Sequence, residues 1–313
     1  MDGLAFLPLS DSRVSSQIAG SPSLRRTIKS PISCVGTGVH GGGRVSVRLL
    51  PAPSGHGVAF RRSDLDLVFP ARFDTVLDTR LCTVVGTAEG RVGTIEHLMA
   101  ALAAAGIDDV LVEVDGPELP ILDGSAEPWL FLLDCAGVAE HDVARGMIEV
   151  LRTVRASDGD AFAELRPSLD VAGLEMALAI DFEASAIGAQ ALSFTLGRDS
   201  FRGELARART FAQKHEIEGL QRAGLARGGS LDNAVVVDGD AVLNPGGLRM
   251  SDEFVRHKML DAVGDLALAG APLVGRFVGR KSGHALNNRL LHALFADPAN
   301  WRLMEPARAL LAA

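Results

Sequence analysis

The chain has 313 residues, 47% of them apolar, and a net charge of −8. At roughly 150 residues per domain, this length predicts two domains, and the composition is that of a globular protein with packed cores. A net negative chain lacks the basic face of a general nucleic-acid binder, although a local basic pocket for a phosphorylated ligand stays open. The three cysteines, Cys34, Cys82 and Cys135, lie far apart and form no CxxC pair. That argues against a disulfide framework or a cysteine-rich zinc site, and fits a reducing compartment. The N-terminus, MDGLAFLPLSDSRV, has a short apolar run, no basic start, and Asp2 and Asp11 beside it, which makes a poor signal peptide. No stretch approaches the about 20 apolar residues of a transmembrane helix. The expectation is a soluble, cytoplasmic, monomeric protein with a loose tail over residues 1–22.

From Thr27 the sequence reads as strands and turns. RVSVRLL at 44–50 alternates polar and apolar residues, the period of a half-buried strand, after a glycine-rich turn at 41–43. The spacing predicts a helix from near Thr94 through EHLMAALAAA to a stop at Gly106, then a strand at 109–116 and a second helix at 127–137. The short polar segment HDVARG at 141–146 is taken as a domain boundary, dividing a first domain at 23–142 from a second at 147–313. Strands follow in MIEVLRTVRA, DAFAELRP and LEMALAIDFE, then a polar helix near 213–226 and a strand at 233–239. SDEFVRHKMLDAVGDLALAG is the clearest helix, with Ser251 or Asp252 as its cap, Gly270 as its stop and Pro272 beyond. HLMAALAAAGIDDVLVEV and HKMLDAVGDLALAGAPLVGRFVG share a layout: a histidine-bearing helix, an Ala-Gly stop and an apolar strand. This faint repeat predicts two similarly built α+β halves, each offering one histidine to a site between them.

Three constellations could carry chemistry. Glu96-His97 opens the first long helix, where a carboxylate also suits the helix dipole. His257, Asp261 and Asp265 recur at i, i+4 and i+8; at about 100° per residue they fall within about 80° of one another on one helix face. That face is either an ordinary solvated one or a pair of ligands aimed at one ion. KSGHALNN at 281–288 is turn-like, and its His284, at a strand end beside glycine, is either a loop residue or one that reaches a cleft. Two histidines and one carboxylate, with a fourth position left for water, suit a catalytic rather than a structural zinc site. The remaining carboxylate, imidazole and lysine groups can then serve as acid and base.

Longer motifs go further. TIEHLMAAL, PILDGSAEPW, LARARTF, FVRHKMLDAVGDLALAG and KSGHALNN, with CVGTGVHGG, FRRSDL and DTRLCT, resemble in content and order the UDP-3-O-acyl-N-acetylglucosamine deacetylases of lipid A biosynthesis. The resemblance runs from about Thr27 to Asn300. It implies two α+β domains, each a helix-covered sheet with an inserted subdomain, and an active site between them. It implies one zinc ion held by His97, His257 and Asp261, with Glu96 as general base and His284 as general acid or oxyanion-stabilising cation. Asp265 would orient His284, and Thr210 would donate a hydrogen bond to the tetrahedral intermediate. Lys258 and Lys281 would contact anionic or polar parts of the substrate, and Asp181 and Phe182 the sugar nucleotide. Phe211 would begin an insert at 211–234 that accepts the acyl chain. The chain departs from the family pattern at Ala161, where a basic residue is frequent, at Glu216, where Asp is common, and at Asn233, where cysteine is common. Two other readings are a zinc amidase acting on another N-acylated sugar, and a non-catalytic binding module. The module has no need of Glu96, Asp265 and His284 together.

Overall fold

The computed structural model describes residues 23–168 and 173–304; the expected tail at 1–22 lies outside the described residues. Six helices occur among them: α1 (Glu96–Ala105), α2 (Glu127–Ala136), α3 (Arg198–Glu204), α4 (Lys214–Arg222), α5 (Glu253–Ala267) and α6 (His284–Phe295). Several sheets accompany them, and the protein is of the α+β class.

The repeat in the sequence is a repeat in topology. One sheet runs in the order Ile32–Thr37, Arg44–Pro51, Val110–Val114, Val58–Arg62, Leu67–Pro70. Only its Val58–Arg62 and Val110–Val114 pair is parallel. The second has seven strands: Val154–Asp158, Ala161–Arg166, Leu273–Arg280, Leu174–Asp181 and Ala189–Thr195 repeat that order, again with a parallel pair at Leu174–Asp181 and Leu273–Arg280, while Met147–Val150 adds a second parallel partner to Leu273–Arg280 and pairs antiparallel with Trp301–Met304. In each, the central strand follows the histidine-bearing helix, α1 or α5, and a further helix, α2 or α6, comes after it. Each half also carries a small three-stranded sheet ahead of that helix. One is Val76–Asp78, Val84–Gly86 and Arg91–Val92; the other is Phe211–Gln213, Val235–Asp238 and Ala241–Val242, with α4 between its strands.

Local chemistry accounts for the elements that hold the site. In Arg44–Pro51 the alternation buries Val45, Val47 and Leu49. Beyond Glu96 and His97, helix α1 is apolar all round, and the whole helix is buried except at Ala103, as a helix enclosed by other elements must be. Gly106 ends it at φ 71°, a left-handed conformation that a side chain disfavours. Helices α1 and α5 pack directly on each other. They approach closely at Gly264, where a Cβ would lie 2.1 Å from the Glu96 carbonyl oxygen. That approach brings Glu96 and His97 against the face of α5 bearing His257, Asp261 and Asp265.

Several expectations are corrected. Residues 281–283 link the strand Leu273–Arg280 to α6, and His284 is the first residue of α6 rather than a loop histidine at a strand end. Gly283 before it is extended and opens the helix without a side-chain cap. Asp252 is the N-cap residue of α5, as one of the two expected candidates, but its side chain makes no capping hydrogen bond; its carboxylate pairs with Arg256 one turn on, at 2.6 Å. Residues 141–144, at the expected boundary, end the strand Val138–Ala144, which pairs antiparallel with Leu24–Ile28. The short helix α3 has no counterpart in the sequence reading.

Candidate active site

Helix α1 supplies Glu96 and His97, and α5 supplies His257, Asp261 and Asp265; all five are buried, so the acidic face of α5 is not a solvated one. Ligand-capable atoms of His97, His257 and Asp261 lie within 4.8 Å of one another. The Asp261 Oδ1 stands 3.7 Å from His97 Nε2 and 3.3 Å from His257 Nε2. The two imidazoles meet edge to face, with centroids 5.0 Å apart. His257 Nδ1 lies 3.0 Å from the Ala208 carbonyl, which accepts its proton and leaves Nε2 with a lone pair facing the cluster. Asp261 Oδ2 accepts from Lys258 Nζ at 2.9 Å, while Oδ1 is buried without a hydrogen-bond partner.

The electrostatics suit a cation. Burial, and then the charge of His257, pushes His97 down to about 3, and burial lowers His257 against the pull of Asp261, so both imidazoles are neutral. Burial works against ionisation of Asp261, but His257, Lys258 and His284 outweigh it and hold its carboxyl well below the usual range. Two neutral imidazoles and an ionised carboxylate, whose Oδ1 is buried without a partner, make three donors that could hold one metal ion.

Around this cluster lies a cavity of about 570 Å³ whose wall includes Glu96, Thr210, Phe211, Lys258, Lys281 and His284. Glu96 Oε2 accepts from the Thr83 backbone N–H at 3.0 Å. Burial raises Glu96 to about 7, with His284 opposing and Asp261 and Asp265 adding to the rise. His284 Nδ1 donates to Asp265 Oδ2 at 2.9 Å. Burial lowers His284, but Asp265, Glu96 and Asp261 outweigh it and push it up to about 9. A group proficient as a base near neutrality thus sits beside one that keeps its proton there.

Asp265 is itself fixed by two residues the sequence reading did not single out. Thr83 Oγ1 donates to its Oδ1 at 2.6 Å, and Asn287 Nδ2 to its Oδ2 at 2.9 Å. Both stood inside quoted motifs, DTRLCT and KSGHALNN, but no spacing marked them. Thr210 is held at the wall by its backbone: its N–H donates to Gly124 O, and its carbonyl accepts from Val235, each at 2.8 Å. The adjacent Arg209 is clamped by the buried Glu253 at 2.8 Å. Phe182, Phe211 and Phe254 meet edge to face in sequence, with centroids 5.5 and 5.0 Å apart, beside His257. Asp181 does not line the cavity; its carboxylate lies 3.2 Å from Lys281 Nζ, which also donates to Asp160 at 2.9 Å. The structure therefore brings the expected residues together, with Asp181 and Asp265 one step behind the wall.

The family model described as UDP-3-O-acyl N-acetylglycosamine deacetylase matches residues 25–296. A UDP-3-O-acyl-N-acetylglucosamine deacetylase of Phenylobacterium zucineum (strain HLK1) is 50% identical over 283 residues, covering 89% of this chain and 96% of its own. Proteins of the same name from Acidithiobacillus ferrooxidans and Myxococcus xanthus are 47% identical over 287 residues and 46% over 286. These alignments cover 90% and 91% of this chain, and 93% and 90% of the relatives. The chain belongs to the UDP-3-O-acyl N-acetylglycosamine deacetylase family.

Proposed function

We propose that this chain is a zinc-dependent hydrolase that removes the N-acetyl group from UDP-3-O-acyl-N-acetylglucosamine, releasing acetate and the free 2-amine for lipid A biosynthesis. The observation that carries the reading is the grouping of His97, His257 and Asp261 in one cavity with Glu96 and the His284–Asp265 pair. His97, His257 and Asp261 would hold the zinc, and their type and number leave a coordination position open. Zinc bound there supplies Lewis acidity toward a carbonyl and lowers the pKa of water to about 7.

The chain's own groups divide the remaining work. Glu96 accepts the proton of the attacking water. The Thr210 hydroxyl donates to the oxyanion that develops on the acetyl carbonyl, and protonated His284 adds its charge there. His284 then gives its Nε2 proton to the departing amine, while Asp265 holds Nδ1 and the ring orientation. Lys258 and Lys281 face polar and anionic parts of the substrate. Phe182 and Phe211 give an apolar wall, and 211–234 would receive the acyl chain. The enzyme works as a cytoplasmic monomer on this reading; among the described residues no helix is long and apolar enough to cross a membrane.

Metal titration tests the ligand set. Chelator-stripped wild-type protein should take up one equivalent of zinc and recover activity, and His257→Ala should take up none tightly. Full zinc content and activity in His257→Ala would refute the assignment.

A further inference from the structure

We propose that Glu118 is a positioning residue for the reaction: its buried carboxylate holds the His40–Gly41 loop as a wall of the substrate cavity and so acts on substrate binding rather than on the chemical step. This rests on the deacetylase reading above.

Glu118 is buried, yet its carboxylate is in no ion pair among the described residues. Oε2 accepts the backbone N–H of His40 at 3.1 Å and Oε1 that of Gly41 at 2.7 Å. A buried polar group needs such partners, and here two backbone donors supply them. The fit is close: a Cβ on Gly38 would lie 2.2 Å from Glu118 Oε1, so the loop can wrap the carboxylate only with glycine there. Glu118 is fixed in turn, because Pro117 O accepts from Gly93 and Gly93 O accepts from Leu119, both at 2.9 Å. Gly93 directly precedes the Thr94–His97 segment that delivers Glu96 and His97.

The loop held by Glu118 reaches the second half of the chain. Val39 O accepts from Gly228 at 3.0 Å and His40 O from Arg227 at 3.2 Å. A Cβ on Gly228 would lie 2.2 Å from the Gly38 carbonyl oxygen, so this contact also admits only glycine. His40 itself lines the cavity, and its Nδ1 is buried without a protein partner. One carboxylate therefore ties the lead-in of α1 to a loop that closes on the segment after α4 and presents an imidazole to the cavity.

The test is Glu118→Gln. Its amide keeps one acceptor and aims an N–H₂ group at a backbone donor. Hydrogen exchange at the His40 and Gly41 amides should accelerate. KM for the acylated sugar nucleotide should rise about tenfold, as for the loss of a hydrogen bond to a charged group, with kcat and metal content close to wild type. His40→Ala should raise KM similarly, and the double variant should not add the two effects, because Glu118 acts through that loop. If Glu118→Gln does not fold, Gly228→Ala, which pushes on Gly38 from the other side, should give the same KM-only change. Unchanged exchange and KM, a fall in kcat alone, or additive effects in the double variant would overturn the proposal. Exchange needs no substrate, so wild-type protein without deacetylase activity would sink the functional reading while the exchange result still decides the role of Glu118.

Discussion

Replacing Asp265 with asparagine keeps the side chain's size and removes its charge. The carboxylate takes donors from Thr83, Asn287 and His284. An amide has one acceptor oxygen, so its N–H₂ group must face one of these donors, and one hydrogen bond is lost as well as the charge. The rise of His284 from the ordinary 6.5 to about 9 corresponds to about 3 kcal/mol in favour of the imidazolium. Glu96 and Asp261 also contribute to it, so removing Asp265 lowers the value without restoring 6.5. The sign follows from which form works: protonated His284 is the acid, and activity falls as pH rises through its pKa. The basic limb of the pH profile of kcat/KM should therefore move to lower pH by at least about one unit in Asp265→Asn. Turnover at neutral pH should fall about 10²-fold, at the low end for loss of an oriented general acid. Stability moves the same way. A raised folded-state pKa contributes stability fully present below 6.5 and lost as pH rises toward about 9, so the variant's stability should be flatter across that window. The limbs are macroscopic values of a coupled site, so wild type, Asp265→Asn and His284→Ala must be compared together, with metal analysis of each. An unmoved basic limb with full activity in Asp265→Asn would refute the reasoning, and loss of metal would make Asp265 a ligand.

Glu96→Gln should retain zinc and substrate binding and lose about 10²–10⁴-fold in kcat, measured at saturating substrate; near-normal turnover would move the base elsewhere. Gly264→Ala should lower the thermal midpoint, because the added methyl meets the Glu96 carbonyl oxygen at 2.1 Å and forces α1 and α5 apart, at about 1–3 kcal/mol. Calorimetry showing an unchanged midpoint would contradict that packing. Each methylene removed from the acyl chain should weaken kcat/KM by about 0.8 kcal/mol, and equal use of a short-acyl substrate would favour a general amidase.

The grouping on α5 was legible because its spacing carries geometry, whereas the choice of His97, His257 and Asp261 as a ligand set rested on the resemblance. His257, Asp261 and Asp265 fall on one face of a helix whose limits the sequence marks, and the shared layout of the two histidine helices anticipated that each half would bring one histidine. What stayed hidden depends on long-range contact. Thr83 and Asn287 matter only because the fold sets them against Asp265, 182 and 22 residues away in the chain. The strand Val138–Ala144 exists because Leu24–Ile28 pairs with it, and nothing local in HDVARG signals that partner. The start of α6 is concealed by KSG, whose glycine reads as a turn yet serves as the extended residue before the helix. The pairing of Asp181 with Lys281, 100 residues on at 3.2 Å, is likewise a long-range contact that no local pattern marks.

The central claim is hydrolysis of the N-acetyl group at a site needing zinc and an acylated sugar nucleotide. Acetate release from UDP-3-O-acyl-N-acetylglucosamine by the purified protein measures it directly, with the protein as isolated, stripped by chelator, and reloaded with one equivalent of zinc. Acetate and free amine should form in equal amounts, with activity lost on stripping and recovered on reloading. Acetate release at full rate from the metal-free protein, or none from the zinc-loaded protein, would contradict that claim.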